Sequence, residues 1–486
     1  MAEPPLKKVK TDNGAEGEHK DTGLSRFTKW CEDNHFQLNA KVVVTEDGSC
    51  AHYGMIANED IPKGETLFEI PRDCLLHPET SSIKEFFSKY KEHLDSASGW
   101  VPLLVCLMYE HTNSNSRWKA YLDLFPNFSE QELPMFWDKQ ELSELQGTGV
   151  PEAVSRDLKN IQDEFQSVVL PCISQHPELF NLEVHNLDLY KKMVAFVMSY
   201  SFTEPSNRLP IDMDADEDDD EDDDDDNDSH HPPPVMVPLA DALNHIAKNN
   251  AKLLFEKERL KMVSIKPIRK GQEVFNTFGE LANWQLLHMY GFAESYPENI
   301  FDTVDIPMKF FLNHVRESTK TEPGLDLNAR WRFLEQLDVV SDEGNFVIGE
   351  DGILTPEELH TTLKVCMMSK DDFEDYKNKD GWESDEENEE ADIILSLENL
   401  QTLPEKWKQL LSGVLRLCLE KYVNTIDEDR NLLKKENYQK LSRKRQFALH
   451  VRVGQKILLH KTLQAITKEP LSNSVQPGQG DHCCIA

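Results

Sequence analysis

The sequence contains no pair of cysteines in CxxC spacing, and its nine cysteines are scattered over 486 residues. Closely spaced cysteines are the usual signal for a structural zinc site or a disulfide framework, so neither is predicted and no metal is expected. An odd number of cysteines in a large chain without a signal is typical of a reducing compartment, the cytosol or the nucleus. No apolar run reaches the roughly 18 residues of a membrane-spanning helix, and Met1–Pro5 shows no apolar core of a secretory signal.

Basic residues are scarce: 52 lysines and arginines face 88 aspartates and glutamates, which gives a net charge of −36. The excess is concentrated in two runs. Residues 212–228 hold fourteen acidic residues and no basic one, and residues 371–392 hold twelve acidic residues and two lysines. Such runs are typical of solvated loops. Direct nucleic-acid binding is not expected, because phosphate contacts need clustered lysine and arginine.

Short strands are predicted on both sides of a long helical stretch. They are Val42–Val44, Gly54–Ala57, Thr66–Ile70, Leu253–Phe255, Met262–Ile265 and Glu273–Phe275. Between them, apolar residues at helical spacing predict helices at Phe86–Phe87, Trp100–Met108, Trp118–Phe125, Leu158–Ile173 and Leu187–Ser201. From about residue 327 the pattern is helical, with long helices expected within Leu400–Ile426 and Tyr438–Ile466, and Thr355–Glu358 predicts a capping box.

The expected fold class is therefore α+β, with a β-rich domain split by a helical insert and followed by an α-helical domain. We expect a disordered tail at 1–22 and the β-rich domain at 23–305, with its insert at about 82–210 and an acidic loop at 211–234. The α-helical domain is expected at 306–470 with an acidic loop at 371–392, and a second tail at 471–486.

The most informative motif is Val237–His245, which ends in Asn244-His245. About thirty residues later come an aromatic-glycine turn, Phe275–Gly279, and a segment ending in Tyr-Gly-Phe, Asn283–Phe292. This order and spacing resemble the cofactor-binding end of SET-domain lysine methyltransferases, and more narrowly the Rubisco-methyltransferase-like branch of that family. The resemblance covers most of residues 24–466. It implies a SET domain, an α-helical substrate-binding domain, and methyl transfer from S-adenosyl-L-methionine to protein lysines.

The resemblance also implies roles for individual residues. The implied cofactor-binding residues are Tyr53, Gly54, Met55, Tyr200, Asn244, His245 and Tyr290. In the family, the residue matching Asn244 contacts the amino acid part of the cofactor, and the residue matching His245 contacts the adenine through its backbone. A glycine such as Gly54 lets the backbone approach a ligand closely, and aromatic faces suit a sulfonium or a lysine stem. Trp100 and Ser201 are the implied substrate-binding residues.

The implied catalytic residues are Phe278 and Tyr290, and Phe278 departs from the family pattern. The family usually has tyrosine at this position, whose hydroxyl lies beside the lysine nitrogen and the methyl group. Three interpretations follow. Tyr290 or Tyr200 supplies the polar contact; the lost hydroxyl changes how many methyl groups fit; or the chain is a weak or inactive methyltransferase. The other parts of the motif are present, which favours an active enzyme.

The family suggests non-histone nuclear substrates, among them the transactivating subunit of NF-kappaB, and certain histone variants. Pro5–Lys10 resembles a short nuclear localisation signal, although a plain charged tail is the alternative, and the expected location is the nucleus and also the cytoplasm. The run at 212–228 is either a solvated loop or a surface that attracts substrate lysines in a basic context. Cys483–Ala486 matches a weak prenylation motif without a preceding basic stretch, so no membrane partner is expected.

Two rival functions stay open. The first is methylation of a histidine in actin, an activity found within this branch. The second is a catalytically silent module that binds a basic peptide, which Phe278 would explain. The sequence specifies neither the substrate, nor the number of methyl groups added, nor the oligomeric state.

Overall fold

The computed structural model describes residues 22–49, 52–95, 98–125, 132–205, 232–320, 325–378 and 395–467. They form two compact units. The first comprises the described residues within 1–131 and 156–278, and the second those within 132–155 and 279–485. The acidic run 212–228, most of the run at 371–392 and the sequence signals at both ends lie outside the described residues. The predicted domain boundary at residue 305 stays a prediction, and it differs from this division.

The described residues contain strands that are mostly two to six residues long. In chain order they are β1 (Gln37–Leu38), β2 (Val42–Thr45), β3 (Gly54–Ala57), β4 (Thr66–Pro71), β5 (Ser201–Phe202), β6 (Val235–Met236), β7 (Asn244–His245), β8 (Ala251–Phe255), β9 (Arg259–Ser264), β10 (Glu273–Asn276), β11 (Val304–Pro307) and β12 (Asn345–Ile348). The six predicted strands are confirmed as β2, β3, β4, β8, β9 and β10, with shifts of a few residues at their ends.

The helices range from one turn to seven turns. They are α1 (Gly23–Asp33), α2 (Lys84–Asp95), α3 (Val101–Thr112), α4 (Lys119–Leu122), α5 (Lys139–Ser143), α6 (Val150–Glu164), α7 (Leu170–Ile173), α8 (Leu187–Tyr200), α9 (Asn283–Tyr290), α10 (Met308–Ser318), α11 (Leu327–Gln336), α12 (Pro356–Met367), α13 (Lys370–Asn378), α14 (Glu405–Glu420), α15 (Ile426–Leu432), α16 (Lys435–Tyr438) and α17 (Arg443–Thr467). The expected α+β class is confirmed.

The first unit contains two four-stranded sheets, ordered β1-β4-β9-β8 and β2-β3-β10-β7. In β9, the buried side chains Leu260, Met262 and Ser264 alternate with half-buried ones, the pattern of a strand with one face on a core. Their register pairs Leu260 with Ile70 and Met262 with Phe68 on β4. Both neighbours are buried apolar residues, so the hydrophobic alternation fixes this register.

Helices fill the sequence between β4 and β5, where α3 packs against both α2 and α8. Two predicted helices differ from the structure. The segment Trp118–Phe125 forms only the single-turn α4, since Trp118 is the N-cap and its indole N–H donates to the Cys74 carbonyl at 2.9 Å. The predicted helix Leu158–Ile173 is interrupted by a π-helical stretch at Phe165–Val169, just before Pro171, which has no N–H to donate.

The second unit is built around α17, whose apolar side chains pack with those of α10, α11, α12 and α14. The prediction of helices in this part is confirmed by α11, α12, α14 and α17. The sequence analysis did not predict the antiparallel pair β11–β12, which adds Val304, Ile306, Phe346 and Ile348 to the same core. No described helix is long and apolar enough to span a bilayer.

The capping box predicted at Thr355–Glu358 is wrong, although α12 does begin at Pro356. The Thr355 side chain makes no capping hydrogen bond to the helix. Its hydroxyl accepts instead from the Val347 N–H on β12, at 3.0 Å. The Thr355 hydroxyl therefore accepts from a backbone N–H on a strand and not from one in the first turn of α12. The local sequence motif does not predict this contact.

A buried ionic cluster joins α15 to α17 in the second unit. Asp429 is fully buried, and Arg452 and Lys456 are each 1% exposed. Arg452 Nη2 lies 2.9 Å from Asp429 Oδ1, and Lys456 Nζ lies 2.6 Å from Oδ2. Arg452 also donates to the Glu144 carbonyl at 2.6 Å, so the cluster ties the segment after α5 to the long helix.

Candidate functional site

One sheet of the first unit brings together three segments that the sequence analysis assigned to cofactor binding. Strand β10 lies between β3 and β7. It is antiparallel to β3, pairing Val274 with Met55, and parallel to β7, pairing Phe275 with Asn244. Residues far apart in sequence therefore meet at one short edge, beside the turn that ends in Phe278.

Asn244 links two of these segments through its side-chain amide. The side chain is buried at 4% exposure, and Nδ2 donates to the Tyr53 carbonyl at 3.0 Å and to Glu273 Oε1 at 2.6 Å. The same carboxylate oxygen accepts from the Ser49 N–H at 3.3 Å. Asn244 thus holds the backbone just before Gly54 in place.

Gly54 lies where a side chain would not fit. A Cβ added there would come within 2.7 Å of Glu273 Oε1, 2.9 Å of the Gly48 Cα and 3.2 Å of Asn244 Nδ2. The close approach to backbone at Gly48 cannot be relieved by rotating a side chain. Gly54 is itself buried, so the missing Cβ lets this backbone pack directly against Gly48 and Glu273 beside Asn244.

His245 and Phe278 form a pair at the same edge. The Phe278 N–H donates to His245 Nδ1 at 2.9 Å, and the two rings are stacked with centroids 5.1 Å apart and planes at 27°. The His245 side chain is buried at 1% exposure. Because Nδ1 accepts this bond, the imidazole is fixed in orientation by the turn that follows β10.

Aromatic rings connect the first cofactor segment to the end of α8. The Phe125 ring lies 6.3 Å from Tyr53 and 4.7 Å from Tyr200, measured between centroids. Burial raises the pKa of Tyr53, and the nearby Glu46 raises it further. Burial also raises the pKa of Tyr200, with the charges of Asp241 and Tyr53 adding to the effect. Both phenols therefore stay protonated near neutral pH.

The implied substrate residues lie at different places in the first unit. Ser201 begins β5 and pairs with Met236 on β6, directly before the Val237–His245 motif. Trp100 is the N-cap of α3 and is half-buried. Among the described residues, no hydrogen bond or ring contact joins Trp100 to the aromatic and Asn244 contacts above, so its role rests on the sequence resemblance.

Tyr290 lies in the second unit, at the C-terminal end of α9. Gly291 follows in the left-handed conformation, at φ 77°, and ends the helix. Burial raises the pKa of Tyr290 to about 12, so this hydroxyl also carries its proton near neutral pH. Its ring lies 6.5 Å from that of Phe292.

Sequence reasoning did not single out Glu273, Phe125 or Asp241. Glu273 accepts from Asn244, Phe125 lies between two predicted cofactor tyrosines, and Asp241 is a buried carboxyl three residues before Asn244. For Asp241 a signal exists: it is the one charged residue in the otherwise apolar run Val237–Leu243. Glu273 and Phe125 carry no such signal, because their partners lie far away in sequence.

Comparisons with known protein families agree with this geometry. The SET-domain family model matches residues 52–279, and the family model described as Rubisco LSMT substrate-binding matches residues 326–459. The chain is 46% identical over 450 residues to the N-lysine methyltransferase setd6 of Danio rerio, covering 92% of this chain and 95% of that protein. It is 45% identical over 428 residues to that of Homo sapiens, covering 87% and 86%.

The chain belongs to the setd6 family of N-lysine methyltransferases. It is therefore a SET-domain protein-lysine methyltransferase, and its methyl donor is S-adenosylmethionine. A solved structure of Rubisco LSMT bound to AdoMet matches it with a TM-score of 0.63 at 18% identity, covering 92% of each chain. Another, bound to sinefungin and monomethyllysine, gives 0.61 at 19% identity, also covering 92% of each. These two matches show that the fold is shared.

The donor set beside Asn244 is polar and close-packed. Only glycine fits at position 54, because Glu273, Gly48 and Asn244 occupy the space of a side chain. By the family resemblance, the residues that would hold the cofactor are Tyr53, Gly54, Met55, Tyr200, Asn244, His245 and Tyr290, and these roles stay predictions. Within the described ranges, no group of three or more histidine, cysteine, aspartate or glutamate side chains is placed to hold a metal.

Proposed function

We propose that this methyltransferase acts on lysines of non-histone nuclear proteins, with the transactivating subunit of NF-kappaB as a specific substrate and histone as a further substrate class. The family resemblance supports these substrates, and the basic segment Pro5–Lys10 supports action in the nucleus as well as the cytoplasm. The observation that carries the methyltransferase assignment is the meeting of Gly54, Asn244 and Phe278 at one sheet edge.

The reaction requires a neutral lysine, whose ordinary pKa is about 10.4. Removing the ammonium group from water favours its neutral form, so an aromatic channel promotes deprotonation by desolvation. Bound S-adenosylmethionine supplies an electrophilic methyl group on its sulfonium. The family resemblance supports Phe278 and Tyr290 as catalytic residues, and Trp100 and Ser201 as substrate-binding residues.

Positioning supplies the rest of the catalysis. Holding the lysine nitrogen in line behind the methyl carbon makes the transfer effectively unimolecular. In this chain the backbone at Tyr53–Gly54 is fixed by Asn244, and His245 is fixed by the Phe278 N–H. Both tethers act before a substrate arrives, which favours a preorganised site.

The decisive test is to incubate the purified protein with labelled S-adenosylmethionine and nuclear extract, and to identify the modified residues by mass spectrometry. Label on lysine of nuclear proteins is expected. Label on histidine would favour the rival activity. Cofactor binding measured by calorimetry, without methyl transfer, would favour the catalytically silent peptide-binding module. The missing hydroxyl at Phe278 is the feature that keeps this alternative open. Absence of binding heat would overturn the methyltransferase assignment.

We predict that Phe278→Tyr raises turnover or lowers the number of methyl groups added, without changing cofactor affinity. The substitution restores a hydroxyl at the family position, where it can meet the lysine nitrogen. If the new hydroxyl is left without a partner, the free energy of unfolding falls by about 1–3 kcal/mol. Single-turnover rates and product masses measure the effect.

Two further variants make this test specific. Phe255→Tyr makes the same change on β8, in the other sheet, and should alter neither rate nor product. Tyr290→Phe should lower the rate if this residue supplies the hydroxyl that position 278 lacks. If Phe278→Tyr and Tyr290→Phe both leave rate and product unchanged, neither residue faces the lysine.

We also predict that removing the charge of residues 212–228 weakens binding of strongly basic peptides only. Fourteen acidic residues would attract lysine-rich segments over several ångströms, and added salt screens such attraction. Replacing the acidic residues with Asn and Gln keeps the length and isolates the charge. Peptide affinity should then lose its salt dependence, while melting temperature and cofactor affinity stay unchanged. A large fall in melting temperature would contradict this view of the run.

A further inference from the structure

Asp241 is a buried carboxyl group that the reaction as described does not use. It lies in the short 3-10 turn Ala240–Ala242, immediately before β7. The Tyr121 hydroxyl on α4 donates to Asp241 Oδ2, and the backbone of Leu239 and of Asp241 itself also hydrogen-bonds to this carboxyl. A carboxylate can accept all of these bonds at once, because it carries acceptor sites on both oxygens.

The backbone that Asp241 holds is strained. Leu239 has φ 81° and ψ −43°, a region close to the γ-turn that residues with a side chain seldom adopt. Leu239 is buried at 3% exposure, so solvent does not relieve the strain. Such residues persist only where the surroundings over-determine them, and they cluster at functional sites. The turn leads directly into Asn244 and His245.

We propose that the Asp241 carboxylate is a positioning residue that holds the strained turn at Leu239, and thereby sets Asn244 and His245 for cofactor binding. The proposal rests on the proposed function, since it concerns the cofactor strand of that site. Asp241 acts on Asn244 and His245 only through the backbone of this turn. Tyr121 acts one step further away by donating to the carboxylate.

The ionisation of Asp241 gives the proposal a pH signature. Tyr121 from α4, Tyr200 from α8 and Cys31 from α1 are titratable groups that interact with it. Burial raises the pKa of each of these three groups, so they stay protonated. Burial also raises the pKa of Asp241 to about 7, although the Tyr121 hydroxyl and the backbone bonds oppose the rise.

Cofactor affinity and folding stability should respond to this proton in opposite directions. The folded state binds the proton more tightly than the unfolded chain, so the stability from this group is present at low pH and lost as pH rises through about 7. The ionised form, however, is the one that accepts every bond of the turn. Cofactor affinity should therefore rise over the pH range in which this contribution to stability falls.

The test is calorimetry of S-adenosylmethionine binding to the full chain at about pH 6 and about pH 8, for the wild type and Asp241→Asn. We expect the variant to bind about tenfold more weakly at the higher pH, and the two proteins to converge at the lower pH. Glu110→Gln is the matched control, because Glu110 is also a buried carboxylate and accepts from Ser81 and Ser116. It should lower the melting temperature without this pH-dependent change in affinity.

A second pair of variants covers failure of Asp241→Asn to fold. Tyr121→Phe removes one donor and should weaken binding in the same direction. Leu239→Gly removes the backbone strain. In a protein that carries Leu239→Gly, adding Asp241→Asn should therefore reduce cofactor affinity several-fold less than it does in the wild type. If the wild type binds and Asp241→Asn binds with equal affinity at both pH values, the inference is wrong and the proposed function stands. Absence of wild-type binding would count against the proposed function itself.

Discussion

Replacing Asn244 with alanine is expected to weaken S-adenosylmethionine binding by at least about a hundredfold while the helical second unit stays folded. The amide donates to both the Tyr53 carbonyl and the Glu273 carboxylate. Without it, Glu273 keeps only the Ser49 N–H at this oxygen, and the Tyr53 carbonyl just before Gly54 is no longer held by the amide. Calorimetry measures the affinity, and circular dichroism reports the helical content.

Asn39→Ala is the matched control for this prediction. Asn39 Nδ2 likewise donates to a main-chain carbonyl, that of Thr66, and to a glutamate carboxylate, that of Glu65, each at 2.9 Å. It bridges segments beside β4, in the other sheet of the same unit. Its loss should reduce stability and leave cofactor affinity intact. Equal loss of affinity in both variants would mean that Asn244 acts only through folding.

Asp429→Asn should lower the free energy of unfolding by about 3–5 kcal/mol, the usual result of breaking a buried ion pair from one side. The substitution keeps the shape of the side chain but leaves Lys456 without its carboxylate partner, and Arg452 with only Glu144 Oε2 at 3.3 Å. Chemical denaturation of the full chain measures the loss. Asp427→Asn on the same helix is the control, since the Asp427–Arg430 pair is exposed and should change stability little.

The same cluster predicts sensitivity to acid. Burial alone would raise the pKa of Asp429, but the hydrogen bonds and charges of Arg452 and Lys456 outweigh it and lower the pKa below its ordinary value. The stability that this carboxylate contributes is therefore present at pH values above the ordinary pKa of aspartate. It is lost as pH falls through the lowered pKa of Asp429. In Asp429→Asn, the free energy of unfolding should therefore fall less steeply as pH is lowered. An unchanged dependence of stability on low pH would contradict the role given to Asp429.

The residues proposed for the site came from local motifs. Asn244-His245, the turn at Phe278 and the glycine at position 54 were all assigned through the family resemblance that these motifs carry. The structure adds that the first two meet through the parallel pairing of β7 with β10. Glu273 could not be predicted, because its importance comes from a contact with a residue on another strand. Ser201 and Trp100 are placed by the structure, but their roles stay predictions.

Secondary structure was likewise predicted where the sequence signal was local, and it was missed where distant contacts decided it. Alternating or helical hydrophobic spacing predicted β2, β3, β4 and the long helices, since burial of one face imposes a period on nearby residues. The predicted capping box at Thr355 failed because its hydroxyl accepts from Val347 on a strand outside the motif. The helix predicted at Trp118–Phe125 shortened to one turn, and its Trp118 indole donates to Cys74.

The sequence by itself determined the fold class, the family resemblance, the spacing of the cofactor motif and the departure at Phe278. All of these are properties of residue type and local order. Only the tertiary structure decided that Glu273 holds Asn244, that residues 132–155 belong with the second unit, and that Asp241 supports the strained turn at Leu239. These features depend on burial and on contacts across large sequence distances, which the local pattern of side chains does not encode.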